Sequence, residues 1–237
     1  MTTADNYCIH PDYKPRAVNQ TVAPESEYWT PAMIRKAAYY QYDVYWRGRE
    51  LIVKHGLGSV LDIGCGPALK LQSIIAPVCK DILGLDDQRI VEYCRQHFDF
   101  GQFIACDIEH DPFPAQRTFD LIICADVIEH LVDPDKLLDA IRVAATPDSW
   151  VVLSTPARNI LRGKGCLRSP KRMHVREWTS AEFANYLTSR SFVIHEHTLL
   201  PPTKFYWSTE YFQQRFLQLR AGRSFASCQM VVCKKRP

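Results

Sequence analysis

The sequence predicts an α/β fold: a largely parallel sheet with helices on both faces. Three observations carry that expectation. Apolar runs of strand length recur at 60–63, 82–85, 103–106, 119–125 and 150–155. Helix-compatible stretches separate them, and strands joined through helices run parallel. Acidic residues sit in or just after three of these runs, at Asp62, Asp86 and Asp107, near the edge where open parallel sheets bind ligands.

In chain order, residues 1–26 are rich in Pro and polar side chains and predict a flexible arm, leaving a single domain over 27–237. Residues 28–56 predict a helical cover. Thr30 followed by Pro31 supplies an N-cap and a first-turn proline. Tyr39, Tyr42, Tyr45 and Trp46 recur at helical spacing, which puts them on one face. That face either packs on the sheet or covers a pocket.

The core, 57–156, opens with VLDIGCGPALKL at 60–71: a strand, a tight loop holding Gly64 and Gly66, and a helix start. Glycine there lets the backbone turn sharply and lets a ligand approach main-chain N–H groups at the helix N-terminus. The loop predicts a nucleotide-like cofactor, with an ordinary strand–turn–helix junction as the plain alternative. A dinucleotide site would need a small residue where Leu69 stands, and a phosphate-cradling loop would need Gly-Lys-Ser/Thr, which the chain lacks. Asp86 closes the second strand, placed to accept hydrogen bonds from ribose hydroxyls, with Asp87 as its competitor. Asp107, followed by Ile108, closes the third. Each acid alone reads as a turn residue or helix cap; three in series behind a Gly-x-Gly loop do not.

The fourth strand, 119–125, leads into a helix from residue 127 that Asp133-Pro134 restarts, and the fifth, 150–156, follows the turn Thr146-Pro147-Asp148-Ser149. Residues 157–176 then hold seven basic side chains, Arg158, Arg162, Lys164, Arg168, Lys171, Arg172 and Arg176. Gly163, Gly165 and Pro170 break any long helix there. The stretch predicts either a lid over an anionic substrate or a solvated loop. In 177–237, Thr179 and Glu182 predict a capping box, 191–200 a sixth strand, 211–219 a helix and 226–235 a seventh strand. Phe205, Tyr206, Trp207, Tyr211 and Phe212 either wall an acceptor pocket or pack in the core.

Composition sets outer bounds. The 237-residue chain is 46% hydrophobic, enough for a sizeable core, and its net charge of +3 does not indicate a strongly electrostatic nucleic-acid binder. No apolar run reaches the roughly 18 residues of a membrane span, and the N-terminus lacks the basic start and apolar stretch of a secretory signal. Nine cysteines, with no pair at Cys-x-x-Cys spacing, fit buried free thiols in a reducing cytoplasm better than a disulfide framework or a Cys-ligated metal. Cys65, inside the loop, is expected to place an unreactive side chain beside the ligand.

Asp62 with Gly64 and Gly66, then Asp86, then Asp107–Ile108, resembles the motif set of the class I S-adenosylmethionine (SAM)-dependent methyltransferases over about residues 57–156. The departure is Ala68, where that family usually has a third glycine. The resemblance implies SAM as cofactor. Asp62, Gly64, Cys65 and Gly66 would face its methionine part, Asp86 the ribose, Asp107 and Ile108 the adenine, and Ala125 the strand end where the transferable methyl sits. It also implies a seven-stranded Rossmann-like sheet whose last strand inserts antiparallel between the fifth and the sixth.

The candidates for chemistry are Asp126, Glu129, His130 and His174. The first three share one face if a helix begins near Asp126, and His174 arrives separately. This pattern resembles two branches of the family. Ubiquinone-pathway O-methyltransferases carry an acid-x-x-Glu-His sequence after the fourth strand, and small-RNA 3′-terminal 2′-O-methyltransferases combine it with a later His followed by Glu-Trp-Thr. In those branches two acids and two histidines bind a divalent metal that gathers substrate hydroxyl oxygens. Asp126, Glu129, His130 and His174 match that set, with the shorter carboxylate at the first position. Three readings stand side by side: a Mg²⁺, Mn²⁺ or Zn²⁺ site that lowers a hydroxyl's pKa; a metal-free base at His130 flanked by Glu129 and His174; or side chains that only cap and pack a helix start.

The resemblance implies transfer of a methyl group from SAM to a hydroxyl of a small polar or anionic metabolite. Methylation of an RNA 3′ end, N-methylation of a small molecule and a non-catalytic SAM-binding module are the alternatives.

Overall fold

A computed structural model describes residues 6–16, 29–205, 209–220, 222 and 224–237. Its strands are β1 Ser59–Ile63, β2 Asp81–Asp86, β3 Gln102–Ala105, β4 Phe119–Ala125, β5 Ala145–Pro156, β6 Phe192–Leu200 and β7 Cys228–Lys235. They form one sheet in the order β3-β2-β1-β4-β5-β7-β6. The pairs among β1 to β5 are parallel, while β7 runs antiparallel between β5 and β6. This is the Rossmann-like sheet that the sequence predicts.

Strand alternation sends side chains into two cores, which is why the central strands read as continuous apolar runs. Leu61, Ile63, Ile122, Cys124, Val151 and Leu153 face one side. There they meet α4 (Pro134–Ala144), α6 (Ser180–Ser189) and Trp178. Val60, Leu121, Ile123 and Val152 face the other side, under α2 (Tyr42–His55), a π-helical turn Leu71–Ile75 and α3 (Gln88–His97). Each fully buried Leu, Ile or Val contributes roughly 1.5–3 kcal/mol of apolar transfer.

Several expectations change in detail. The helical cover is broken into α1 (Pro31–Ala37) and α2, because Gln41 adopts a left-handed φ of 50°. Tyr39 therefore lies in the break. Tyr45 is buried in the core and Trp46 is exposed, so the four aromatics do not form one face. The turn read at 146–149 lies within β5, where the register against β4 shifts and Ser149 Oγ donates to the Phe119 carbonyl at 2.6 Å. After β4 there is only a 3₁₀ turn, Ile128–His130, before α4 starts behind its N-cap Asp133. The Thr179–Glu182 capping box is formed as expected.

Residues 6–16, read from composition as part of a flexible arm, are packed against the domain. Ile9 and Tyr13 are buried, Lys14 N donates to Leu167 O and Arg16 N to Val175 O, and Trp178 Nε1 donates to Tyr7 O. Tyr7, Ile9 and Tyr13 supply the apolar contact that an average over the polar stretch conceals. The rest of that stretch, 1–5 and 17–26, lies outside the described residues, as do Tyr206 and Trp207 of the late aromatic group. Of that group Tyr211 is buried, whereas Phe205 and Phe212 are exposed. The last helices are a single turn, α5 (Arg158–Leu161), and α7 (Thr209–Arg220). All nine cysteines are free thiols. Among the described residues no helix is long and apolar enough to cross a membrane.

Trp178 is fully buried and stacks on Tyr186, with centroids 5.6 Å apart and planes 10° apart. Trp178→Ala should cost about 3–5 kcal/mol in urea unfolding, and a loss below about 1 kcal/mol would show that the ring is not packed in this way.

Candidate active site at the carboxyl edge of the sheet

Beyond β1 the chain turns at Gly64 (φ 74°) and Gly66 (φ 55°), a left-handed region that disfavours any Cβ. A Cβ on Gly64 would lie 2.3 Å from Val127 Cγ2. The loop is fastened to β2: Gly64 N and Cys65 N donate to the Leu85 carbonyl at 2.8 and 3.0 Å, and Gly66 N donates to Asp86 Oδ2 at 2.8 Å. Asp86 also accepts from Asp87 N at 2.9 Å. Burial raises its pKa to about 7, and its carboxylate keeps lone pairs for further donors. Its competitor is otherwise engaged, since Asp87 caps α3 by accepting from Arg89 N and Ile90 N. Ala68, at the position where the resembled family usually has glycine, takes a left-handed φ of 52° at a cost of roughly 1–2 kcal/mol.

Asp62 is fully buried on the α2 side of β1. Its Oδ2 accepts from the Tyr45 hydroxyl at 2.8 Å, while Oδ1 has no hydrogen-bond partner among the described residues. Burial raises its pKa to about 7, against the Tyr45 hydrogen bond and the nearby Lys70 charge. The Cys65 side chain packs beneath the loop. Its thiol is buried in the core, in space left by Gly84, where a Cβ would come within 2.9 Å of Cys65 Sγ. The backbone of Cys65 lines the loop, and its thiol lies beneath it, 3.5 Å from the Gly66 carbonyl.

Asp107 folds over its own turn, accepting from Glu109 N at 2.9 Å and meeting His110 Nδ1 at 2.9 Å. Ile108 packs partly buried on the α4-side core. Ala125 ends β4 beside Ser154. The next residue, Asp126, has a left-handed φ of 55°, and its carboxylate accepts from Ser154 Oγ at 2.6 Å and Gln41 Nε2 at 2.8 Å. That turn prevents a helix from starting at Asp126. The expected shared helical face is absent, and Asp126, held by Ser154 and Gln41, does not join the grouped ligand atoms of Glu129, His130 and His174.

Those three do converge, with one ligand atom from each lying within 4.8 Å of the others. The loop carrying His174 is drawn in by Val175 N and Arg176 N, which both donate to the Glu129 carbonyl. Glu129 Oε2 accepts from Thr155 Oγ1 at 2.9 Å. Burial, reinforced by the Asp126 charge, pushes the Glu129 pKa well up. His130 Nδ1 lies 2.9 Å from the Met173 carbonyl, which only accepts, so that nitrogen carries the proton and Nε2 keeps a free lone pair. Burial, then the neighbouring His174, lowers the His130 pKa to about 3. His130 is neutral at neutral pH.

His174 Nδ1 lies 2.6 Å from Glu177 Oε1, which directs its Nε2 likewise away from the carboxylate. Glu177 also accepts from Arg162 and from Ser169 Oγ. Burial alone would raise its pKa, but the hydrogen bonds from His174 and Arg162 bring it down to about 2. Of the basic side chains in 157–176, three work internally: Arg158 donates to Glu182, Arg162 to Glu177, and Arg176 to the Leu131 carbonyl. Lys164, Arg168, Lys171 and Arg172 are exposed.

Two buried polar side chains at the candidate site carry little signal in the sequence. Lys70 is buried, and its Nζ donates to the Ala37 carbonyl at 2.8 Å. Its signal was a lysine four residues before Ile74, in a segment where Leu71, Ile74 and Ile75 are all buried. Glu177 was visible only through its helical-like spacing from His174.

Gly64→Ala should cost more than about 2 kcal/mol in urea unfolding, since it adds a clash to the φ strain. Gly66→Ala, whose Cβ would meet Trp29 only at 3.3 Å, should cost about 1 kcal/mol. Equal losses would contradict this loop geometry. The folded pKa of Glu177, about 2, lies below its ordinary 4.5, so its contribution is present above pH 4.5 and lost as pH falls toward 2. Glu177→Gln should therefore flatten the acid limb of the stability profile by up to about 3 kcal/mol. An unaltered limb would dissociate Glu177 from acid unfolding.

A profile of the methyltransferase domain family matches residues 38–199. A ubiquinone biosynthesis O-methyltransferase of Bradyrhizobium diazoefficiens is 29% identical over 155 residues, 59% of this chain and 60% of that protein. One from Bordetella avium is 28% identical over 108 residues, 42% of this chain and 43% of that protein. The chain thus spans only 43% to 60% of the length of these two relatives. Among solved structures, a SAM-dependent methyltransferase from Clostridium acetobutylicum superposes with a TM-score of 0.59 at 14% identity, covering 83% of this chain and 93% of that one. The plantazolicin methyltransferase BpumL, in complex with SAH (S-adenosylhomocysteine), superposes with a TM-score of 0.58 at 16% identity, covering 90% and 93%. These likenesses are of fold, and together with the profile match they show that the chain belongs to the methyltransferase domain family.

Proposed function

We propose that the chain transfers a methyl group from SAM to a hydroxyl of a small polar or anionic acceptor. The observation that carries this is the Glu129–His130–His174 cluster, with Glu129 and His174 buried and His130 partly so, two residues beyond Val127, which abuts the glycine loop at Gly64. Proton-accepting chemistry thus adjoins a loop suited to the cofactor. Asp62 Oδ1, a buried acceptor without a partner, suits the cofactor's ammonium, and Asp86 suits ribose hydroxyls. Gly64 and Gly66 keep side chains out of the way, with the Cys65 backbone between them. Asp107 and Ile108 are assigned to the adenine and Ala125 to the strand end beside the methyl.

SAM supplies a sulfonium methyl open to nucleophilic attack, so the protein's work is alignment and removal of the acceptor's proton. His130, neutral and with Nε2 free, is oriented to receive that proton, with Glu129 and His174 flanking it, but a pKa of about 3 leaves it a weak base on its own. The exposed cations Lys171 and Arg172, immediately before Met173 and His174, support an anionic acceptor.

A second reading is favoured by the tautomers. Nδ1 of each histidine is already engaged, so two Nε2 lone pairs and the Glu129 carboxylate form a donor set that fits Mg²⁺, Mn²⁺ or Zn²⁺. A cation there would lower the pKa of the acceptor hydroxyl. Asp126, held by Ser154 and Gln41, is not part of this set.

The test is to incubate purified protein with methyl-labelled SAM and a cell extract, with and without EDTA, and fractionate the products by size and charge. Label in small anionic hydroxyl compounds is the expected result. Label in RNA or on amines would replace the proposed acceptor, and loss of turnover in EDTA, restored by metal, would establish the second reading. His130→Ala should reduce turnover at least about a hundredfold while SAH binding is kept; unchanged turnover would remove His130 from catalysis.

A further inference from the structure

Lys70 is a lysine in an expensive place. Its side chain is almost fully buried, lies 4.9 Å from the centroid of the Tyr45 ring, and makes one hydrogen bond, to the Ala37 carbonyl at the end of α1. An ammonium has three donors, so two N–H groups have no acceptor among the described residues. The Tyr45 hydroxyl, on the ring that Lys70 faces, holds one oxygen of Asp62, whose other oxygen is the buried acceptor without a partner. The spare donors of Lys70 and the spare acceptor of Asp62, opposite in charge, thus share the Tyr45 side chain as a common neighbour. Capping one carbonyl does not explain this, because a neutral donor would cap it without the several kcal/mol cost of burying a charge.

We infer that Lys70 binds the carboxylate of the cofactor's amino-acid end, while Asp62 Oδ1 receives its ammonium. The pairing suits a zwitterion, because donor and acceptor act at two points and the site's net charge is unchanged on binding. Lys70 also ties the binding loop to the cover, since its remaining bond is to α1. This inference rests on SAM as the methyl donor.

The test is calorimetric and needs no acceptor. SAH, its decarboxylated analogue and 5′-methylthioadenosine, which lacks the whole amino-acid end, are titrated into wild-type protein and Lys70→Met. The variant should bind SAH about tenfold or more weakly and should bind the decarboxylated analogue and 5′-methylthioadenosine within about twofold of wild type. Equal weakening of all three ligands would make Lys70 a structural residue and overturn the inference, as would unchanged SAH binding. Failure of wild-type protein to bind SAH at all would instead sink the SAM reading beneath it. If Met is not tolerated at this buried position, Lys70→Gln gives the same comparison with a neutral polar side chain.

Discussion

The site depends on how the loop after β1 is tied to the end of β2. One carbonyl, Leu85, takes the N–H groups of both Gly64 and Cys65, and the next residue's carboxylate takes Gly66 N. Three consecutive donors are thereby satisfied within two parallel strands, and their backbone is fixed where a cofactor would lie. The tie requires left-handed φ at both glycines and close approach of Val127 to Gly64. It thus couples the loop to the segment leading into Glu129 and His130. A single backbone constraint sets the distance between the glycine loop and the segment that carries Glu129 and His130.

Two buried glutamates show how environment, more than residue type, assigns chemistry here. Glu129 has one hydroxyl donor, and its pKa rises with burial; Glu177 has an imidazole, a guanidinium and a hydroxyl, and its pKa falls. His130 and His174 stand between them. One histidine leans on a main-chain carbonyl and is neutral, and the other leans on an ionised carboxylate. Carboxylates driven apart in pKa are what the proposed acid–base or metal-binding role of this cluster would draw on.

The strands were legible because a buried parallel strand must be apolar on both faces, as 119–125 is. The acids were legible because strand ends in such sheets point one way. What escaped notice lay in backbone turns and in long polar side chains. Gln41, Ala68 and Asp126 take left-handed conformations that composition assigns to glycine, so the broken cover and the loss of the helical face at Asp126 had no signal in residue type. Arg158, Arg162 and Arg176 look like surface charge in a basic run, yet each is internal because a carboxylate or carbonyl lies within reach of its guanidinium. Tyr7, Ile9 and Tyr13 are outvoted by their polar neighbours in any composition average, although together they seat the N-terminal segment.

The break at Gln41 gives the helical cover its connections. In a continuous helix the Ala37 carbonyl would accept from Gln41 N, four residues on. Here Gln41 N donates to the Pro202 carbonyl instead, Lys204 N donates to the Tyr39 carbonyl, and Tyr40 bridges to Thr203. Two consequences follow from the same rearrangement. The Ala37 carbonyl is released to accept from Lys70, and the Gln41 side chain is free to reach Asp126 at 2.8 Å. The cover is therefore held on one side by the segment that follows β6 and on the other by residues of the glycine loop and the β4 end. A local loss of helical hydrogen bonding thus joins the cover both to Lys70, behind the glycine loop, and to Asp126 at the end of β4.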